Sequence, residues 1–294
     1  MLKYRMFTDT HCHLSYLTEK GLNLSELLVQ LCEENFRFIL DASTLAEDLE
    51  PRVKAVRSAV SAVSDEKMRE KINSMIHYSA GIWPDPDSIR DRAEKVKVLE
   101  ETIKNAEKNG VKVCALGECG LDHHWNPAGV DCRSEDDFDN SMLKAETELF
   151  EMQLSLAQKL SLPVVVHSRD AFEQTLGCIK NAAYNNGEIH CFSYGIDEAR
   201  AFLDLGWYIA LGGAVTYTKK SRLDEMRNLI KFIPDDMILL ETDAPFLAPV
   251  PERGHVNTPR LIRHTYEYIA QFRECSVEVL AEKVYANSCK LFAL

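Results

Sequence analysis

One rhythm constrains this chain more than any other feature. Eight short apolar runs, each closing in small or polar residues, alternate with stretches of helical periodicity. The runs are Tyr4–Asp9, Phe36–Ser43, Ser74–Gly81, Val111–Glu118, Leu162–Ser168, Gly187–Ser193, Trp207–Gly213 and Met237–Asp243. Each is too short for a surface helix and is rich in Val, Ile or aromatic residues, which predicts strands. Near-continuous apolar runs suit parallel strands covered on both faces. Between them, Leu27, Leu28 and Leu31 share one face of a helix over Ser25–Asn35. Val96, Leu99, Ile103 and Ala106 do so over Ala93–Asn109, which Gly110 ends. Ala145, Leu149, Met152 and Leu156 mark Ser141–Lys159, and Leu223, Met226 and Ile230 mark Ser221–Phe232, which Pro234 helps to stop. Helices over Leu261–Phe272 and Val277–Leu291 finish the chain. Eight strand–helix units predict an α/β fold of the (β/α)8 TIM-barrel type. A doubly wound open sheet is the alternative, but the first run lacks the GxGxxG turn of a dinucleotide fold.

No linker or repeat divides the 294 residues, so a single domain over 1–294 is expected, with a polar loop insertion at about 123–140. In a barrel, long loops after the strands cap the active face. A chain of this length buries roughly 75% of its extended surface without staples. No apolar run reaches the ~20 residues that span a bilayer, and the first residues show no signal-peptide core, so a cytoplasmic setting is expected. The nine cysteines are scattered and never form CxxC, as buried thiols in a reducing compartment would. The net charge of −12 disfavours broad nucleic-acid wrapping. It permits a phosphate substrate, because a bound divalent ion dominates its local field.

Polar residues gather where the strands end. The first run leads into Asp9, His11 and His13; the fourth into Glu118 and Asp122; the fifth ends at His167, the sixth at His190 and the eighth at Glu241 and Asp243. In a barrel these ends converge on one axis. Imidazole with carboxylate suits zinc, manganese or iron, and four histidines with two acids can hold two ions if one carboxylate bridges. Alternate residues of a strand face one way, so His11 and His13 can chelate a single ion. By the same alternation Cys12 and Cys191 face away from the site.

The segments "DTHCHL", "GECGLD", "PVVVHSRDA", "HCFSYG", "LLETDAPFLAPVPERG" and "NTP" appear in this order over nearly the whole chain. Together they resemble the TatD family of metal-dependent deoxyribonucleases, within the amidohydrolase-like barrels. The resemblance implies that His11, His13 and Asp243 hold one metal, that Glu118 bridges, and that His167 and His190 complete the second. It implies that Asp122 and Arg169 support the site or touch substrate, and that Arg253, Asn257 and Pro259 lie on a substrate-side loop. One departure stands out. Where the family reads glycine, any residue, histidine and proline, this chain has "GIWP", with Trp83 in place of a histidine thought to face the substrate phosphate. An indole offers one donor and no charge. Trp83 can instead stack on a base or fill space, and His77, His123 or His124 are candidates to replace the missing imidazole.

The expected chemistry is hydrolysis of an ester, most readily a phosphodiester, assisted by two divalent cations (Zn, Mn or Mg). Asp243 is expected to take the proton and, with Glu118, to form the catalytic pair. Glu241 is either an orienting group or a buried acid satisfied by its surroundings. Arg169 holds a phosphate oxygen or supports the site through Asp170 or Glu118, and Arg253 has the freer setting for substrate. A barrel mouth on an acidic protein favours single-stranded DNA or nucleic-acid 3′ ends over continuous duplex, hence a 3′–5′ exonuclease. D-aminoacyl-tRNA deacylation and small-molecule lactonase or amidohydrolase activity are the alternatives. No lysine ends a strand to serve as a carboxylated bridge, since Lys112 begins one. A monomer is the default, because the barrel buries its own core.

Overall fold

The structure is a computed structural model that describes residues 6–124 and 134–293. Its strands are β1 Phe7–Cys12, β2 Phe36–Asp41, β3 Ile76–Ala80, β4 Val113–Asp122, β5 Val164–Arg169, β6 Gly187–Ile189, β7 Tyr208–Leu211 and β8 Ile238–Leu240. They form one sheet in chain order, each strand parallel to the next. The seam between β8 and β1 is drawn together by a bridge between Cys12 and Ala244. There the His13 amide donates to the Ala244 carbonyl at 2.7 Å and the Asp243 amide to the His11 carbonyl at 2.9 Å. The result is a nearly closed (β/α)8 barrel.

Two apolar layers hold it. The larger packs the outer faces of the strands against the helices, with Leu28, Leu31, Leu99, Ile103, Leu149, Phe150, Leu154, Phe202 and Ile269 all buried. The smaller fills the lumen with Phe38, Leu40, Ala115, Val165, Tyr208, Ala210 and Leu239, and the last helix closes its floor with Leu291 and Phe292. Phe38 and Phe292 stack there at 5.2 Å. Bulky lumen residues make a packed core and leave only the opposite, C-terminal face of the strands for a site.

The helices expected from periodicity appear as Leu24–Glu33, Arg92–Lys108, Asn140–Leu160, Leu223–Phe232, Ile262–Arg273 and Val277–Phe292. Asn23, Asp139 and Ser276 cap three of them by accepting backbone amides of the first turn. Further helices at Leu49–Ser61, Glu66–Met75, Phe172–Ala182 and Ile196–Leu203 fill positions that no periodic stretch had marked. Strand lengths also differ from expectation. β1 and β4 run on to Cys12 and Asp122, whereas β6 and β8 stop at Ile189 and Leu240, leaving His190, Glu241 and Asp243 just beyond the ladder. Cys191 therefore lies past β6, with φ of 46°, and its orientation does not follow from strand alternation. The expected insertion at 123–140 includes residues 125–133, with Cys132, which lie outside the described residues. Its later part forms a 3-10 turn, Glu135–Phe138, before the helix Asn140–Leu160.

The C-terminal ends of β3, β4 and β5 approach closely, and glycine makes this possible. Gly120 has φ of +153°, and a Cβ there would stand 1.9 Å from the His167 carbonyl oxygen. A Cβ on Gly81 would meet the Gly117 backbone at 2.4 Å. Glu118 is thus carried between glycines into a space where no other backbone fits. At the same end, buried Arg52 links the loops: it donates to the Asp41 carboxylate at 2.9 Å, the Asp48 carboxylate at 2.9 Å and the Ser79 carbonyl at 2.7 Å.

Candidate metal centre

Period-two alternation aims the polar residues that the strands carry. Val165 points into the lumen, so His167 and Arg169 on β5 continue toward the same axis at its open end, whereas Glu241 and Asp243 lie past β8 and are placed by the turn there, Asp243 with φ of 56°. The Glu118 carboxylate sits at the centre. Its Oε2 lies 3.2 Å from His11 Nε2 and 3.7 Å from His13 Nε2. Its Oε1 lies 2.8 Å from His167 Nδ1 and 3.1 Å from His190 Nε2. Asp243 Oδ1 closes the first group, 3.8 Å from His11 Nε2 and 3.5 Å from His13 Nε2. One acid is therefore shared, one oxygen to each pair of imidazoles.

Two cations fit this donor set. His11 Nε2 and His13 Nε2 are 3.3 Å apart, and His167 Nδ1 and His190 Nε2 are 3.2 Å apart. Two nitrogens each ~2.1 Å from a common tetrahedral ion would be about 3.4 Å apart. The sets His11–His13–Glu118 and Glu118–His167–His190 each have donor atoms within 4.8 Å of one another. The outward ring nitrogens carry the protons that leave the inward lone pairs available. His13 Nδ1 donates to the Ala42 carbonyl at 3.1 Å, His167 Nε2 pairs with Asp122 Oδ2 at 3.1 Å, and His190 Nδ1 faces Glu241 Oε1 at 3.4 Å. Cys12 is directed elsewhere, its thiol facing the Leu40 carbonyl at 3.6 Å.

The electrostatics point the same way. Burial alone would raise the Glu118 carboxyl, but the facing imidazoles of His190 and His11 outweigh it and hold it well below the carboxylate range. Burial would depress His190, yet the charges of Glu118 and Glu241 lift it well above its ordinary 6.5. His13 and His167 are raised against burial by carboxylates, His13 by Asp243 and Glu118 and His167 by Asp122 and Glu118. His11, the most enclosed, is lowered by burial and by the neighbouring His190 charge. The carboxylates that lift His13, His167 and His190 give the centre a field that favours positive charge.

Around this centre lies a layer of positioning residues. Asp122 is fully buried. It receives His167 Nε2–H on Oδ2, and Arg169 grips both its oxygens, Nε to Oδ1 at 2.9 Å and Nη2 to Oδ2 at 2.7 Å. Burial would raise Asp122, but His167 and Arg169 outweigh it and hold it below the carboxylate range. Arg169 pairs with Asp122 rather than with Asp170 or Glu118, the partners considered from sequence. Glu241 is a half-satisfied acid: its Oε1 faces His190 and accepts the Cys191 amide at 2.6 Å, while its Oε2 is buried without a hydrogen-bond partner among the described residues. Asp9, pushed up to about 8 by burial, ties the seam by accepting the Thr242 amide and hydroxyl at 2.9 and 2.6 Å. Sequence reasoning gave Glu146 no role. It is buried on the helix Asn140–Leu160 and accepts the Asp122 amide at 2.8 Å. Its signal was a charged residue in register with buried Leu149, Phe150 and Gln153.

The remaining candidates divide. Trp83 faces the site, its ring edge-on to His167 at 5.9 Å. Arg253 is exposed, with its guanidinium 4.3 Å over the Tyr217 ring. Asn257 is fully buried, and its amide donates to the Thr242 carbonyl at 2.8 Å and the Phe246 carbonyl at 2.6 Å, which shapes the loop that carries Arg253. His77 lies in the lumen, stacked on Phe38 at 4.7 Å, on the side of the floor residue Phe292. His123 lies 3.3 Å from Glu146, and His124 pairs with Asp170 at 2.7 Å. Lys112 reaches the Ala293 carbonyl at the far end of the barrel.

A barrel with a buried, acid-bridged cluster of imidazoles at its open end defines a metal-dependent hydrolase. The family described as TatD related DNase matches residues 8–293. The chain is 30% identical to the uncharacterized metal-dependent hydrolase YcfH of Escherichia coli (strain K12), over 97% of this chain and 94% of that one. It is 32% identical to the uncharacterized metal-dependent hydrolase YabD of Bacillus subtilis (strain 168), over 74% and 78% of the two chains. The crystal structure of YJJV, a TatD homolog from Escherichia coli K12, superposes with a TM-score of 0.76 at 25% identity, covering 100% of both. The chain belongs to the TatD-related DNase family. No helix among the described residues is long and apolar enough to cross a membrane.

Proposed function

We propose that this protein is a deoxyribonuclease that removes nucleotides from the 3′ ends of single-stranded DNA, using two divalent cations. The observation that carries the reading is the division of Glu118 between two imidazole pairs, one oxygen facing each. Those residues would hold two cations side by side, a donor arrangement suited to phosphoryl chemistry. The family description as DNases supports the phosphodiester. When bound, the two ions acidify the attacking water and neutralise developing charge on the phosphoryl oxygens.

The chain's own residues do the rest. His11, His13 and Asp243 hold one ion, His167 and His190 the other, and Glu118 both. Asp243, at 14% side-chain exposure against 5% for Glu118, is the more open of the two carboxylates, and it accepts the water's proton. Asp122 fixes the His167 tautomer, and Arg169 fixes Asp122. Arg253 meets the phosphates of the strand on the loop that Asn257 shapes. The protein with both ions bound should hydrolyse bis-p-nitrophenyl phosphate, and single-stranded DNA faster than duplex. Metal content is measured alongside, with D-aminoacyl-tRNA and a panel of lactones as competing substrates. A lactone preferred over DNA by orders of magnitude in kcat/KM overturns the nuclease reading.

A further inference from the structure

Among the described residues, the mouth of the barrel has two unlike sides. Among the described residues, the exposed large hydrophobics are Leu45, Phe246, Leu247, Val250, Val256 and Val279, and all but Val279 stand on the loops after β2 and β8. Rings and hydrogen bonds join these loops to their neighbours. Phe246, 43% exposed, lies edge-on to His13 at 6.1 Å and to Tyr16 at 6.3 Å. Tyr16 lies 5.3 Å from His13, and its hydroxyl pairs with Thr44 Oγ1 at 2.7 Å. The Thr44 carbonyl accepts the Trp83 amide at 2.9 Å. Phe246, Tyr16, Leu45 and Trp83 thus form an arc over β8, β1, β2 and β3, running from beside His13 to beside His167. The other side is polar and charged, with its exposed cations after β7 and β8. It carries Arg169 at the end of β5, held by Asp122, Tyr194 after β6, and exposed Lys219 and Lys220 after β7, where Arg253 lies over Tyr217, with exposed Asp170 and Asp197 between them.

We infer that the aromatic arc is a base-binding wall: it takes the terminal nucleobase of the strand, while the phosphates run out over the cations of the other side. The inference rests on the nuclease reading and names how that site recognises its substrate. A small lactone or acyl ester matches the apolar side alone. A nucleotide end matches both, because a base has an apolar face and its phosphates carry the charge. Against a net charge of −12, the grouping of Lys219, Lys220 and Arg253 at the mouth gives the phosphates a local cationic path. Base-on-ring stacking tolerates any base, so the wall selects for a base without selecting its sequence.

The test compares two single-stranded oligonucleotides on the metal-loaded protein, one with an ordinary 3′-terminal nucleotide and one with an abasic 3′ end. One stacked base is worth roughly a 5- to 150-fold preference in kcat/KM for the base-bearing end. Trp83→Ala and Phe246→Ala should each collapse that ratio severalfold, chiefly through KM, and Trp83→Phe should keep most of it. Arg253→Ala should weaken both substrates alike and reduce the salt slope of binding by about 1. A ratio near one in the unaltered protein, or a ratio that Trp83→Ala and Phe246→Ala leave intact while DNA is still cleaved, overturns the base wall alone. Failure to cleave any DNA end while aminoacyl-tRNA or a lactone is hydrolysed overturns the nuclease reading and this inference with it.

Discussion

Asp122→Asn separates the two cation sites, because Asp122 touches only one of them. Among the described residues it accepts side-chain bonds from His167 Nε2 at 3.1 Å and from Arg169 at 2.9 and 2.7 Å, besides the His124 amide at 3.0 Å. Asparagine is nearly the same size but replaces one acceptor oxygen with an NH2. In the Oδ2 place that NH2 faces both the His167 Nε2–H and Arg169 Nη2, and in the Oδ1 place it faces Arg169 Nε–H and the His124 amide, so at least one charge-assisted bond becomes a clash of donors. Losing a hydrogen bond to a charged group costs about 1.5–3 kcal/mol. If the His167 ring flips its proton to relieve this, Nδ1 carries hydrogen where a lone pair is needed. Expressed as affinity, ~1.4 kcal/mol per tenfold gives a loss of about 10- to 100-fold at the site of Glu118, His167 and His190. The site of His11, His13 and Asp243 should keep its affinity. Two-site calorimetric titration, with metal content measured after dialysis, reads both constants. Equal loss at both sites, or at neither, refutes the positioning role of Asp122.

Other perturbations give different signatures. Glu118→Ala should lower occupancy at both sites together, measured by elemental analysis; retention of either ion at wild-type affinity contradicts the bridge. The raised His13, His167 and His190 imidazoles give the metal-free protein stability that is complete below pH 6.5 and lost as pH rises through their raised values. Cations hold those rings neutral, so the loaded protein should lack this decline. Asp9, raised to about 8 by burial, adds a loss of the same sign to both forms, so the difference between the two Tm-versus-pH curves reports the histidines. Parallel curves contradict it. Arg52→Ala leaves the buried Asp41 carboxylate without its guanidinium and should cost about 3–5 kcal/mol in denaturant unfolding, whereas a change under about 1 kcal/mol would mean the loops do not depend on it.

Much of the site was legible because strands impose a period of two. The pairs His11 and His13, and Val165 and His167, each repeat one facing, so a lumen residue identifies the next polar one as inward. Glu146 obeyed a period too, as a charge on a helix's buried face. Its partner, the Asp122 amide, lies 24 residues away and leaves no trace in its own segment. Asn257 looked like a substrate group in its motif, but its amide is directed to Thr242 and Phe246, which only the closed loop brings within reach.

The sequence by itself determined the strand–helix alternation, the common facing of His11 and His13, and the absence of a strand-end lysine, because these are properties of one segment's periodicity and composition. Tertiary structure alone decided that Glu118 gives one oxygen to each imidazole pair, that Arg169 grips Asp122, and that Phe246, Tyr16 and Trp83 line one side of the mouth. Those relations join segments tens to hundreds of residues apart. A hydrogen bond or ring contact depends on separations of a few ångströms between side chains, and a periodic pattern along one strand carries no information about the distance to another.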